Sequence, residues 1–375
     1  MPVKPLKILY AIQATGNGHI ARAIELYPYL KKYGQIDFFL SGSNASLSPE
    51  IPIKYRSNGL SLFYRNNGKL NYFKIIFQSN PIQILKHAKK LPIHEYDLVI
   101  NDFEFITYLS CKINKKPFIH LGHQASFFSA KTPRPKKGNF LANWILKNYC
   151  KSNWNVGFHF RSYEPWVFPP IIKKELWNFK YEHNSDSPTQ SVASKSNYDS
   201  SYEVFDTYSQ NKIQTLGNQQ RKITVYLPQY SSEEIRRFFY GIHNVQFQIF
   251  HSSVSKNYVE GDITWKPIDN ESFAQSMIQS DGIICGAGFE TPAEALFLNK
   301  ELLVIPITGQ YEQYCNAESL KEMGVTVVDR LDFNFYDAFN RWLKSPRNKE
   351  QKPNFLPTNQ IIDSIFNEFI LPQLN

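Results

Sequence analysis

Cys285-Gly286-Ala287-Gly288-Phe289-Glu290-Thr291-Pro292-Ala293-Glu294-Ala295-Leu296-Phe297-Leu298 is the stretch that decides the fold. It follows the short apolar run GIIC at 282–285 and leads into helical spacing over 292–298. A strand, a glycine-bordered turn and a helix in that order form the repeating unit of an α/β protein with a parallel sheet. Thr291 reads as an N-cap, Pro292 as the first helical residue and Glu294 as the partner that completes a T-x-x-E capping box. Gly286, Ala287 and Gly288 leave the turn nearly free of side chains, so amides at the helix start are open to an anion, and a diphosphate suits them. Glu290 and Thr291 border that seat. Glu294 has two readings on spacing alone: the capping box, which spacing favours, or an acceptor for ribose hydroxyls.

The same pattern extends on both sides. In the second half, KITVYL (222–227), 247–250, LLVI (302–305) and VTVV (325–328) read as strands, and 233–239 as a helix. After 302–305 comes a polar, aromatic loop with Gln310, Glu312 and Gln313. It can grip sugar hydroxyls or be a solvated loop with ordinary caps. Pro228-Gln229-Tyr230-Ser231-Ser232 opens the helix after the first of these strands, and Ser231 or Ser232 can cap it and face phosphates. In the first half, 7–12, 37–40, YDLVI (96–100) and PFIHL (117–121) read as strands. Residues 20–32 have helical spacing that stops at Gly34.

Between the first strand and that helix lies Ala14-Thr15-Gly16-Asn17-Gly18-His19-Ile20-Ala21-Arg22. Gly16, Asn17 and Gly18 let a ligand approach the backbone. The loop departs from a dinucleotide fingerprint, because Ala21 replaces the third glycine and Asp37 starts a strand where the ribose-binding acid should end one. His19 stands at the loop's mouth, either as a general base or as a loop-satisfying histidine. Asp102 and His123, with Gln124 beside it, follow the ends of the YDLVI and PFIHL strands. In an open parallel sheet those ends line the ligand crevice, which puts His19, Asp102 and His123 on one rim. A carboxylate beside a histidine orients it and favours its charged form. Asp102 as a helix cap, and His123 bonded to the backbone, are the plainer alternatives.

Composition bounds the rest. The 375 residues suit two ordinary domains, and 42% hydrophobic content is that of a folded chain. No apolar run approaches the roughly 20 residues of a membrane span, and the first apolar stretch is too short for a signal sequence. A cytoplasmic protein is the expectation. Cys111, Cys150, Cys285 and Cys315 are widely spaced and read as buried free thiols. Residues 1–170 hold 23 Lys and Arg against 8 Asp and Glu, a net +15, whereas the remainder holds 19 against 25, a net −6. The first half therefore carries a field suited to anionic partners. Residues 69–90 and 131–151 mix basic and apolar side chains and can lie on an anionic membrane surface, or be amphipathic helices with a solvated basic face. No nucleic-acid motif accompanies the charge. Residues 181–220 contain eight Ser and four Asn without apolar periodicity, and read as a linker or insertion. The helical spacing of 360–371 predicts a terminal helix.

Together, the early Gly-x-Gly-His loop and the late GAGFETPAEA…P…QYEQxxNA pattern resemble GT-B glycosyltransferases. The likeness is to the group that includes the N-acetylglucosaminyltransferase of peptidoglycan precursor synthesis. It covers nearly the whole chain except 181–220. It implies two Rossmann-like, doubly wound α/β lobes facing a central cleft. Residues 1–170 would bind the acceptor, 171–221 would be the linker, 222–357 would bind a nucleotide-sugar (usually a UDP-sugar), and 358–375 would be a terminal helix. By position, Glu294 matches the acid that binds donor ribose, which reverses the preference for a simple cap. Glu312 and Gln313 match a Gln-Gln pair on the donor sugar, with Glu replacing the first. His19 matches the loop histidine that, in many relatives, is the base or lies beside the acceptor, and Asp102 is positioned like the acid that orients such a base. The resemblance departs at Pro228–Ser232, where relatives have a longer glycine-rich loop. It implies inverting transfer from a nucleotide-sugar to a glycan or lipid-linked acceptor; no DxD-like metal site is evident in the sequence, so neither a metal nor a resident cofactor is expected. An epimerase or hydrolase of the same fold, or a nucleotide-sugar-binding protein without catalysis, stay open as alternatives.

Overall fold

The computed structural model describes residues 5–14, 17–42, 51–59, 81–136, 138–183, 220–344 and 353–374. The first lobe is a seven-stranded parallel sheet: β1 (Leu6–Gln13), β2 (Gly34–Ser41), β3 (Ile53–Ser57), β4 (Leu98–Asp102), β5 (Ile119–Gly122), β6 (Trp154–Phe158) and β7 (Val167–Phe168). Their spatial order is β3-β2-β1-β4-β5-β6-β7, so the winding reverses between β1 and β4. Around it run α1 (Asn17–Leu30), α2 (Pro81–Lys90), α3 (Phe105–Ile113), α4 (Phe140–Asn148) and α5 (Lys174–His183). β1, β2 and β4 are almost wholly buried along their length, as strands covered on both faces must be.

The second lobe repeats the plan with β8 (Arg221–Tyr226), β9 (Val245–Phe250), β10 (Tyr258–Glu260), β11 (Ile263–Lys266), β12 (Gly282–Cys285), β13 (Glu301–Val304) and β14 (Thr326–Val327). Its order is β10-β11-β9-β8-β12-β13-β14, with the reversal between β8 and β12. Only the edge pair β10–β11 is antiparallel among the described strands. Its helices are α6 (Ser232–Phe239), α7 (Asn270–Gln279), α8 (Glu290–Phe297), α9 (Tyr311–Glu322) and α10 (Phe333–Lys344). Two doubly wound lobes of this kind are the α/β architecture read from the sequence.

The terminal helix, α11 (Thr358–Ser364), continues through a π-helical turn at Ile365–Ile370 into α12 (Leu371–Leu374). It returns to the first lobe. Phe366 stacks on Tyr33 with ring centroids 3.6 Å apart, and the Tyr33 hydroxyl donates to Asp363 Oδ1 at 2.7 Å. One buried apolar cluster runs from Ile8 and Tyr10 through Phe160 and Phe289 to Ile365 and Phe366, so the lobes share a core. All four cysteines are buried and free, as expected from their spacing.

Four expectations need correction. Thr291 is not an N-cap: α8 starts one residue earlier, at Glu290, with Phe289 at the cap position and no side-chain cap bond. Glu294 closes no capping box either; it is buried and its carboxylate pairs with Lys173 Nζ at 3.2 Å. Gly34 does not end α1, which stops at Leu30, but begins β2. A Cβ there would fall 1.8 Å from the Leu6 carbonyl oxygen, so close strand approach demands glycine. Within the stretch read as a linker, α5 is a packed helix: Trp177 meets Phe297 at 4.5 Å. Residues 184–219 of that stretch lie outside the described residues, as do Gly16 and all of 69–80.

Candidate active site

The two reversal points face each other, and the candidate side chains collect there. β1 and β4 are neighbours with Ile12 opposite Asp102, so the start of α1 lies over the end of β4. Asn17, Gly18 and His19 form the first turn of α1. His19 Nδ1 is 2.9 Å from Asp102 Oδ1. Asp102 is fully buried, while the His19 side chain keeps 13% exposure. Burial alone would push the Asp102 carboxyl up, but the Arg22 guanidinium and His19 more than reverse this and hold it at about 2. An ionised Asp102 accepts a hydrogen bond from His19 Nδ1–H, which leaves Nε2 as the ring nitrogen that can accept a proton.

The turn after Asp102 is braced. Phe103 adopts a left-handed φ of 58°, rare for a bulky residue. Around it, Asn101 Nδ2 donates to the Glu104 carbonyl and Asn101 Oδ1 accepts from the Glu104 amide, at 2.7 and 2.8 Å. Glu104 caps α3 through the Ile106 and Thr107 amides. Asp102 is thus fixed by its own strand end.

Arg22 was not singled out by the sequence reading. It sits one helical turn beyond His19 and is 4% exposed. Its Nη2 donates to both Asp102 oxygens at 2.8 Å, and its Nη1 donates to Glu290 Oε1 in the opposite lobe. The i, i+3 spacing of His19 and Arg22 was the available signal, since it puts both on one helix face. Gly18 lets the lobes close at this point: a Cβ there would come within 3.2 Å of Glu290 Cγ.

On the second lobe, the turn Gly286–Gly288 leads from β12 to α8. A Cβ on Gly288 would meet nothing within 4 Å, so the space before the α8 amides is open. Gln313 faces this turn: its Oε1 accepts from the Ile307 amide at 2.9 Å and lies 3.6 Å from the position of a Cβ on Gly286. Ser231 caps α6 in a reciprocal capping box with Glu234, and Ser232 is the first residue of that helix. Gln310 holds the N-cap position of α9 without a side-chain cap bond, after Gly309 at φ 87°. Glu294 lies one turn into α8, and Lys173, from the crossover between lobes, is a partner that spacing in sequence could not reveal.

His123 and Gln124 meet the second lobe directly. His123 is buried, stacks on Phe289 at 4.0 Å and 7°, and has Nδ1 2.9 Å from the Phe158 carbonyl and Nε2 2.8 Å from Asn316 Oδ1. Gln124 Nε2 donates to Glu312 Oε2 at 3.0 Å. With both ring nitrogens engaged, His123 joins the lobes beside the cleft. Burial lowers its pKa, against an opposing pull from Glu312.

A family model described as glycosyl transferase family 1 matches residues 6–185 and 204–343. The chain belongs to that family. No curated protein matches this glycosyltransferase by sequence. Solved structures with the same fold include the glycotransferase of kitacinnamycin, at TM-score 0.59 and 12% identity over 98% of this chain and 100% of that one. The calicheamicin glycosyltransferase CalG4 aligns at TM-score 0.55 and 11% identity, over 97% and 99% of the two chains. MurG from Acinetobacter baumannii aligns at TM-score 0.50 and 15% identity, over 96% and 99%. At such identities the likeness is one of fold, and it confirms the two-lobed GT-B reading for this glycosyltransferase.

Proposed function

We propose that this glycosyltransferase moves a hexosyl group from a UDP-sugar to a hydroxyl of a glycan or lipid-linked precursor, with inversion and without a divalent metal or other cofactor. The observation that carries the reading is the His19–Asp102 pair standing across the cleft from the open Gly286–Gly288 turn. His19 Nε2 takes the proton of the acceptor hydroxyl, whose oxygen bonds to the anomeric carbon as the carbon–oxygen bond to the diphosphate breaks. The electron pair stays on the departing phosphate oxygen, where the α8 amides and helix dipole stabilise it. Asp102 offsets the charge that His19 gains. One displacement without a covalent intermediate inverts the centre. Glu294, oriented by Lys173, receives the ribose hydroxyls; Ser231 and Ser232 border the phosphates; Gln310, Glu312 and Gln313 read the sugar. Asn17, Gly18 and Gln124 form the acceptor side, where His123 joins the lobes.

A thermal-shift panel of UDP, dTDP and GDP with their glucose conjugates tests the donor seat, because a ligand bound only by the native state raises the melting temperature. UDP compounds should give the largest shift, and turnover should survive EDTA. A panel without any shift sinks the reading, while donor consumption without an acceptor points to hydrolysis instead.

For the acceptor, we place the reaction at the cytoplasmic face of a membrane. Phe140 and Trp144, one turn apart on α4, are 85% and 54% exposed, and Ile82 on α2 is 79% exposed, with Lys86, Lys89, Lys90 and Lys147 on the same two helices. Aromatic and basic side chains together suit an anionic lipid surface. No helix among the described residues is long and apolar enough to cross a membrane. Phe140→Ala/Trp144→Ala should reduce co-flotation with phosphatidylglycerol vesicles several-fold while leaving thermal stability within about 0.5 kcal/mol. Equal flotation of the double variant would remove the surface from consideration.

A further inference from the structure

The donor seat has a feature at odds with its proposed ligand: an acid stands at its edge. Glu290 is the first residue of α8, one residue (Phe289) after the open Gly286–Gly288 turn, and its side chain keeps 18% exposure. We propose that Glu290 takes up a proton when the donor docks and then donates a hydrogen bond from its carboxyl group to the leaving diphosphate. This rests on the donor seat described above.

The groups around Glu290 decide the matter. From α1 come Arg22, bonded to Glu290 Oε1, and His19; from β4 comes Asp102, beyond Arg22. Glu294 lies one turn further along α8, Tyr10 projects from β1, and Lys173 reaches in from the crossover. Arg22 is shared with an ionised Asp102, so its charge is already spoken for. Lys173 is shared in the same way with Glu294. A diphosphate at the α8 amides adds negative charge beside a carboxylate whose one bonded cation, Arg22, is shared with Asp102. An ionised Glu290 would repel it and could only accept hydrogen bonds. A neutral Glu290 keeps Oε1 as the acceptor for Arg22 and carries its proton on Oε2, free to donate to a phosphate oxygen.

The proton is within reach at physiological pH. Burial raises the Glu290 carboxyl, Arg22 opposes that, and Glu294 and Asp102 push it further up, to about 7. The added anion can only raise it more. Donor binding then consumes a proton and weakens as the pH climbs.

Isothermal titration of UDP-, dTDP- and GDP-glucose decides it, in buffers of low and high ionisation enthalpy at pH about 7.5. The diphosphate diester of a sugar nucleotide does not titrate near neutrality, so any proton counted belongs to the protein. For the tightest-binding conjugate, the wild-type protein should take up a proton, and its Kd should rise by up to about tenfold per pH unit above about pH 7. Glu290→Gln, which donates from an amide, should bind at a nearly pH-independent Kd without proton uptake. His19→Gln should still take up the proton. A wild-type count of zero overturns the inference by itself, even if Glu290→Gln fails to fold. So does uptake that persists in Glu290→Gln and vanishes in His19→Gln. If no conjugate binds, the donor seat falls, and this inference with it; binding without proton uptake sinks the inference alone.

Discussion

His19→Ala should lose roughly 10²–10⁴-fold in turnover and keep its affinity for nucleotide, the usual worth of a positioned general base. The reason for the split is spatial. His19 belongs to the first turn of α1, whereas the nucleotide seat is built from β12, α8 and the loop before α9 in the other lobe. Removing the imidazole takes away the group that receives the acceptor proton and leaves the α8 amides in place. Asp102→Asn should lose less than His19→Ala, because its amide still lies beside Nδ1. It holds the wrong tautomer, however, and no longer offsets the charge formed on His19. Single-turnover measurements, paired with nucleotide affinity for each variant, separate these effects. Equal turnover in His19→Ala and wild type would end its role as base. An equal loss of nucleotide affinity would mean that the lobes had come apart.

The sequence disclosed most of the central strands and far less of the edges, for a physical reason. β1, β4, β8 and β12 lie in the middle of their sheets, so both faces are apolar and each reads as a continuous run such as ITVY or GIIC. β3 and β10 are edge strands: β3 alternates polar with apolar residues, and β10 is three largely exposed residues, so neither carries such a run. β6 is buried but interrupts its run with Asn155 and Gly157.

Within the site, pairing across the fold was legible only where strand ends announced it. His19 and Asp102 were placed together because both follow strands of one sheet, and the open turn was read from Gly286 and Gly288. The error at Thr291 has a clear source. A threonine before a proline with an acid three residues on is a strong local pattern, yet here α8 starts at Glu290, whose side chain reaches Arg22 in the other lobe. A contact between residues 268 apart outweighed a contact between neighbours. Arg22 and Lys173 were missed for the same reason: each looks like an ordinary basic residue until its acidic partner is known.

Arg22→Met should destabilise the protein by about 3–5 kcal/mol, far more than the loss of an exposed charge, and lower turnover as well. Exposed pairs set the scale. Lys7 and Glu95, at 35% and 46% side-chain exposure, are solvated, and losing one partner costs about 0–1 kcal/mol. Arg22 differs because its partners cannot turn to water. Without it, Asp102 is a carboxylate at 0% exposure with only His19 beside it, and Glu290 loses the cation that reaches it. The loss should also depend on pH in a definite sense. Asp102 is depressed to about 2, so the stability it contributes is present above its ordinary value and fades only as pH falls toward 2. Glu290 is raised to about 7, so the native state holds an extra proton below that pH, and this stabilising contribution is lost as pH rises through 7. In Arg22→Met both carboxyls titrate higher, and acidification neutralises the stranded charges. The gap to wild type should therefore narrow between about pH 8 and pH 5.5, as read from urea midpoints. Adding Glu290→Gln to Arg22→Met should recover part of the loss at pH 8, because one of the two stranded charges is gone. A gap that is small and flat with pH would show that Arg22 is no more than a surface cation in solution, and that the lobes are not joined by charge.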